Sequence, residues 1–123
     1  MRPPACGCYR AISPSSAGWC SRTVWGGKQI VSAQFLAQAT APQIKGQGLY
    51  FYGYQFWLGR SFIGGREINW SAAVGLGGQR IYVVPTLDVV AVVNAGLYRS
   101  PLQASVPLAV LNRYVLAAAA SRR

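Results

Sequence analysis

The stretch WSAAVGLGGQRIYVVPTLDVVAVVNAG, from Trp70 to Gly96, sets three glycines and a glutamine between two apolar runs. Val, Ile and aromatic residues fit a pleated, half-buried surface, so the runs on either side read as β-strands. Glycine weakens a strand interior and marks a bulge, a bend or a close backbone approach. The strand INWSAAV therefore ends at Gly75, Gly77 and Gly78, and a second strand begins beyond them. RIYVVP and LDVVAVVNAG then form a strand pair joined by a tight turn over Pro85 to Asp88.

The remaining segments extend this pattern. LYFYGYQFWLG, Leu49 to Gly59, is dense in aromatic residues and reads as one strand, and RSFIGGRE reads as a turn centred on Gly64 and Gly65. Upstream, WGGKQIV is a turn followed by a short extended piece. SAQFLAQAT begins with Ser32 as N-cap, carries Phe35, Leu36 and Ala39 on one face and stops before Pro42, which predicts a short amphipathic helix. SPLQASVPLAVLNRYVLAAAA is helical, with Pro101 in its first turn, Pro107 at the start of its regular part, and Leu108, Leu111, Tyr114 and Val115 at helical spacing. The order is helix, about four strands, helix. Short connections require antiparallel pairing, and an apolar sheet must bury at least one face against something, here the terminal helix. The predicted class is α+β, an antiparallel sheet flanked by helices.

Composition narrows the function. With 52% hydrophobic and 11% charged residues, the main body is not disordered by composition. Residues 1–24 are the exception: rich in Pro, Ser and Cys, they show neither helical nor alternating periodicity and read as an irregular segment. Twelve Lys and Arg stand against Glu67 and Asp88, giving a net charge of +10 that raises nucleic acid as a partner. The cations are scattered singly, however, with Arg122 and Arg123 the tightest group, so no specific nucleic-acid site is expected. Histidine is absent, which removes His metal ligation, the Ser-His-Asp triad and Cys-His catalysis from these residues. Cys6, Cys8 and Cys20 lack a fourth ligand for a closed zinc site, so neither metal nor cofactor is expected. The longest apolar run, Ile81 to Val93, is broken by Pro85 and Asp88 and predicts no membrane span. Pro3, Pro4 and the polar residues after them do not make a signal peptide.

YGYQFW, Trp70 and then GLGGQRIYVVPTLDVVAVV resemble the C-terminal part of the serine β-lactamase-like hydrolases, a family of class C β-lactamases, D-Ala-D-Ala carboxypeptidases, related esterases and 6-aminohexanoate-dimer hydrolases. VWGGKQIVSAQFLAQATAP resembles the family segment just upstream, so the likeness spans roughly residues 24–120. It implies the C-terminal portion of the β-lactamase/transpeptidase-like fold over residues 25–123. It also implies hydrolysis of a small-molecule amide or ester through an acyl-enzyme in the intact relative. There the nucleophile is the Ser of an S-x-x-K motif, activated by its Lys and by a Tyr of Y-x-N or Y-x-S. A third element edges the cleft and supplies an oxyanion-hole N–H.

None of the ten serines here has Lys three positions later. Tyr98-Arg99-Ser100 matches Y-x-S formally, but it follows the third element instead of preceding it and reads as a strand exit. In place of K-T-G stands AVGLGG. The resemblance makes Gly75 the motif glycine and Leu76 the oxyanion N–H, with Gly77 and Gly78 bending the strand end and Gln79 anchoring the turn. No catalytic side chain is expected in these residues, and the chain should be inactive alone. The alternative expectations are a binding or complementation module that joins a separately encoded N-terminal half and, further off, a basic nucleic-acid binder. A one-base frame shift in a GC-rich back-translation turns RAISPSSAGWCSRTV into RDLAKLGRLVLAHGV, which resembles the family helix expected before Trp25, so residues 1–24 read as a frame-shifted segment.

Overall fold

The computed structural model describes residues 24–25, 28–46, 48 and 50–122; the cysteines and the irregular, frame-shifted reading of the N-terminus lie outside them. A two-residue ladder pairs β1 (Val24–Trp25) with β2 (Lys28–Gln29). Helix α1 (Ala33–Ala39) follows, its first turn closed by the Ser32 hydroxyl, which accepts from the Phe35 N–H at 3.1 Å. The helix stops at Thr40, ahead of Pro42.

Six strands then run as an antiparallel meander: β3 (Ile44–Lys45), β4 (Phe51–Tyr52), β5 (Trp57–Ile63), β6 (Arg66–Val74), β7 (Arg80–Val84) and β8 (Val89–Val93), each hydrogen-bonded to the next. The protein is thus an α+β chain with a six-stranded antiparallel sheet, two more strands than the sequence suggested. One of the two is β3, in the Gly/Pro-containing segment before the aromatic run, and the other comes from the aromatic run itself. Leu49 to Gly59 is not one strand: Tyr54 donates to the Ala39 carbonyl at 3.0 Å, Gly53 to Phe56 at 2.8 Å, and Gln55 takes a φ of 67°. A Cβ on Gly53 would collide with the Ala39 carbonyl oxygen, so glycine lets the chain turn tightly under α1. Gly53 marks the break, which the surrounding aromatic density obscures. Conversely, Arg60 to Ile63 belong to β5, and the following turn is only Gly64-Gly65.

Register sorts the side chains. Gly59, Ser61, Ile68, Trp70, Ala72, Arg80, Tyr82, Val84 and Ala91 share one face. The C-terminal helix covers it, and Ile68, Trp70, Ala72, Tyr82, Val84 and Ala91 bury a core with Leu111 and Leu116. Gly59 lies beneath the Trp70 indole, where any Cβ would overlap the ring. The opposite face buries Leu58 and Ser71 but leaves Phe62, Ile81 and Val92 largely exposed.

The helix starts as a 3-10 turn (Pro101–Gln103), continues as α2 (Ser105–Val110), widens to a π-helical segment (Leu111–Leu116) and closes as α3 (Ala117–Ala120). Pro101 and Pro107 both fall near starts, where a missing N–H costs little. The expected face is corrected at one position. Tyr114 is 69% exposed, while Leu116 is fully buried with Leu111. Those two leucines are five apart, the spacing of an i→i+5 turn, so π geometry brings both onto the sheet where a regular helix would rotate Leu116 away. The segment is pinned by Asn112, whose Oδ1 accepts from the Ser61 hydroxyl at 2.6 Å while Ser61 accepts from the Trp70 indole N–H at 3.0 Å. By length and composition alone, the 20 residues Pro101–Ala120 could reach across a bilayer; here Leu111 and Leu116 pack them on the sheet.

Candidate functional site

β6 and β7 are joined by the predicted residues Gly75, Leu76, Gly77, Gly78 and Gln79, closed by the facing pair Val74 and Arg80. The Gly75 N–H donates to the Gln79 carbonyl at 2.9 Å. Gly77 and Gly78 have φ of 80° and 88°, conformations an L side chain rarely adopts. Both are buried, and both are crowded. A Cβ on Gly77 would stand 2.7 Å from the Tyr98 ring, and one on Gly78 3.1 Å from the Gln103 carbonyl oxygen and 3.4 Å from Pro107. At both positions φ favours glycine, and a side chain would in addition have to displace the Tyr98 ring or press on the Gln103 backbone.

Residues distant in sequence hold the turn. The Gly77 N–H donates to Gln103 Oε1 at 3.0 Å, and the Gly77 carbonyl accepts from the Leu97 N–H at 2.8 Å. Arg80 spans the structure. Its Nη1 donates to the carbonyls of Gly75 (2.9 Å) and Gln79 (2.7 Å), and its Nη2 to the carbonyl of Gln103 (3.1 Å). Gln79 Nε2 donates to the Tyr98 hydroxyl at 3.1 Å. What remains outward is Leu76, 73% exposed at the tip, whose N–H finds no acceptor among the described residues. Arg80, Tyr98 and Gln103 were not among the expected site residues. Tyr98-Arg99-Ser100 follows β8 as irregular chain and a turn; Ser100 caps the 3-10 turn by accepting from the Leu102 N–H at 3.2 Å.

Beside the turn, on the helix-covered face, lies a cleft of about 200 Å³ lined by Tyr50, Trp57, Trp70, Ala72, Val74, Arg80, Tyr82 and Ala104. Its rings interlock: Trp70 meets Tyr82 edge-on, centroids 5.2 Å apart, and Tyr50 lies 5.8 Å from Trp70. Burial pushes the Tyr82 phenol above its usual value, with the Arg80 charge opposing the shift. The neutral phenol is therefore favoured in the fold, and that stability would be lost only as pH rises past the ordinary tyrosine range.

Among the described residues, no serine hydroxyl is hydrogen-bonded to a lysine, a tyrosine or a carboxylate; Ser61 bonds Trp70 and Asn112. No group of three potential metal ligands occurs among them either. Comparison with protein-family models, curated proteins and solved structures finds no match to this chain.

Proposed function

We propose that residues 25–123 are the C-terminal part of a β-lactamase-related serine hydrolase, and that the Gly75–Gln79 turn supplies its oxyanion N–H. The observation that carries the reading is the turn: Leu76 stands exposed with its N–H unengaged among the described residues, while Arg80 and Gln103 fix the backbone behind it. A preorganised donor is what stabilises the oxyanion of acyl transfer, because no reorganisation is needed as charge develops. In the intact relative, a Ser from S-x-x-K would attack an amide or ester carbonyl. Its proton would pass by way of the Lys and Tyr to the amine or alcohol that departs as the C–N or C–O bond breaks, and water would then hydrolyse the acyl-enzyme. These 123 residues carry no S-x-x-K, so no turnover is expected of them alone; the alternative reading is a complementation module for a separately encoded N-terminal half. Two features favour that role: an apolar sheet face bare at Phe62, Ile81 and Val92, and β8, paired only with β7 among the described residues.

The test uses nitrocefin and p-nitrophenyl esters. The purified chain should show no turnover above a Leu76→Pro control, which lacks the candidate N–H. Co-expressed with an N-terminal half bearing S-x-x-K, it should turn over substrate, and Leu76→Pro should lower kcat by about 10²-fold. Turnover by the unaccompanied chain, or complementation indifferent to Leu76→Pro with the fold retained, would overturn the assignment.

A further inference from the structure

The cleft makes a second kind of site, one that needs neither a nucleophile nor the Leu76 N–H. Trp70 and Tyr82, both nearly buried, form its floor with Ala72, and Tyr50 and Trp57 stand half-buried at its side. Alanine at 72 and at 104 leaves open a volume that larger side chains would fill. Four rings around about 200 Å³ suit a single flat apolar body of fragment size.

Arg80 adds the polar determinant. Guanidinium has five N–H donors; three are used here on neutral carbonyls and another faces the Tyr82 phenol, which leaves one. Among the described residues its positive charge meets no carboxylate side chain. Of the chain's two acids, Glu67 pairs with Arg60 at 3.4 Å on the opposite face, and Asp88 closes the turn after Val84. Val84 is four residues from Arg80, or about 13 Å along β7. A partly buried cation with a spare donor beside an aromatic cleft selects an anion, and a cationic guest would be repelled by the same group.

We infer that this cleft binds a small aromatic carboxylate, its ring held among Tyr50, Trp57, Trp70 and Tyr82 and its carboxylate on the positive charge and remaining N–H of Arg80. The experiment compares three probes that share one ring, benzoate, benzyl alcohol and benzylammonium, by saturation-transfer NMR and tryptophan fluorescence on the full chain. Benzoate should bind with a Kd on the order of 1 mM, about tenfold tighter than the alcohol, with benzylammonium weakest. Arg80→Gln should level benzoate with the alcohol. Because Arg80 also holds the Gly75–Gln79 turn, a second variant guards against loss of fold. Val74 faces Arg80 across the ladder and is 45% exposed, so Val74→Glu would supply an internal carboxylate that occupies the guanidinium. It should abolish the preference for benzoate while circular dichroism stays unchanged. Ala104→Phe should weaken all the probes together by filling the cleft. Equal affinity for the three probes in the unchanged chain, no saturable binding of benzoate, or a benzoate preference that survives Val74→Glu would overturn the proposal.

Discussion

Two glycine turns in this sheet look alike in sequence and behave differently in the fold. Gly64-Gly65 joins β5 to β6 with φ of 56° and 77°, and a Cβ on either would meet nothing within 4 Å. Gly77-Gly78 sits in the next turn with φ of 80° and 88°, yet it lies beneath Tyr98, Gln103 and Pro107. The first turn needs glycine only because both central residues require positive φ, as in the two-residue hairpins whose twist matches the strands. The second needs glycine for that reason and for space. A turn that is merely permitted stays at the solvent edge, whereas one built into the fold can present a peptide N–H in a fixed place.

The largest effect should come from removing what holds the second turn. Arg80→Met keeps the aliphatic stem but strips three hydrogen bonds from the carbonyls of Gly75, Gln79 and Gln103. At roughly 1 kcal/mol net for each, the loss is about 3 kcal/mol, read as a lower urea midpoint at unchanged m-value. A loss no greater than that of a surface substitution would mean the turn is held without Arg80, and the contrast between the turns would collapse.

The glycines test the same contrast directly. Gly65→Ala should cost about 1 kcal/mol, the steric penalty of a left-handed L residue in open space. Gly78→Ala carries that penalty and also pushes against the Gln103 backbone and Pro107, so about 2–3 kcal/mol is expected. Equal costs would show that the neighbours yield and that only φ matters.

Legibility in the sequence divides along the same line. Features settled within a few residues were readable. The Ser32 cap reaches its N–H three residues on, the Gly64-Gly65 turn closes on itself, and Pro85–Leu87 ends at Asp88 with φ of 55°. The sheet class followed from Val, Ile and aromatic content and from short connections. Features settled by distant chain were not. Gln103 and Tyr98 reach the glycine turn from 26 and 19 positions away, and no local pattern marks either as its support. Nor could spacing choose between Tyr114 and Leu116. A regular helix favours the former, but burying Leu111 and Leu116 together against Trp70 and Tyr82 favours the wider turn. The break at Gly53 likewise depends on the Ala39 carbonyl, a neighbour supplied by the helix before it.

Tyr98 separates packing from hydrogen bonding within the locked turn. Its ring covers Gly77, and its hydroxyl accepts from Gln79 Nε2 at 3.1 Å. The residue is 57% exposed, so when the hydroxyl is lost water can satisfy the Gln79 amide, and no buried group is left unpaired. Tyr98→Phe should therefore cost only about 0.5 kcal/mol, less than Gly65→Ala in the open turn. In the complementation assay it should leave turnover near that of the unchanged chain. If Tyr98→Phe instead destabilised the chain more than Gly65→Ala, the Gln79–Tyr98 hydrogen bond would belong with Arg80 among the groups that fix the turn. Gln79 would then be an anchor of the site in its own right, as its position in the resemblance implies. A small effect assigns the anchoring to Arg80 and Gln103 and leaves Tyr98 as the ring that packs over position 77.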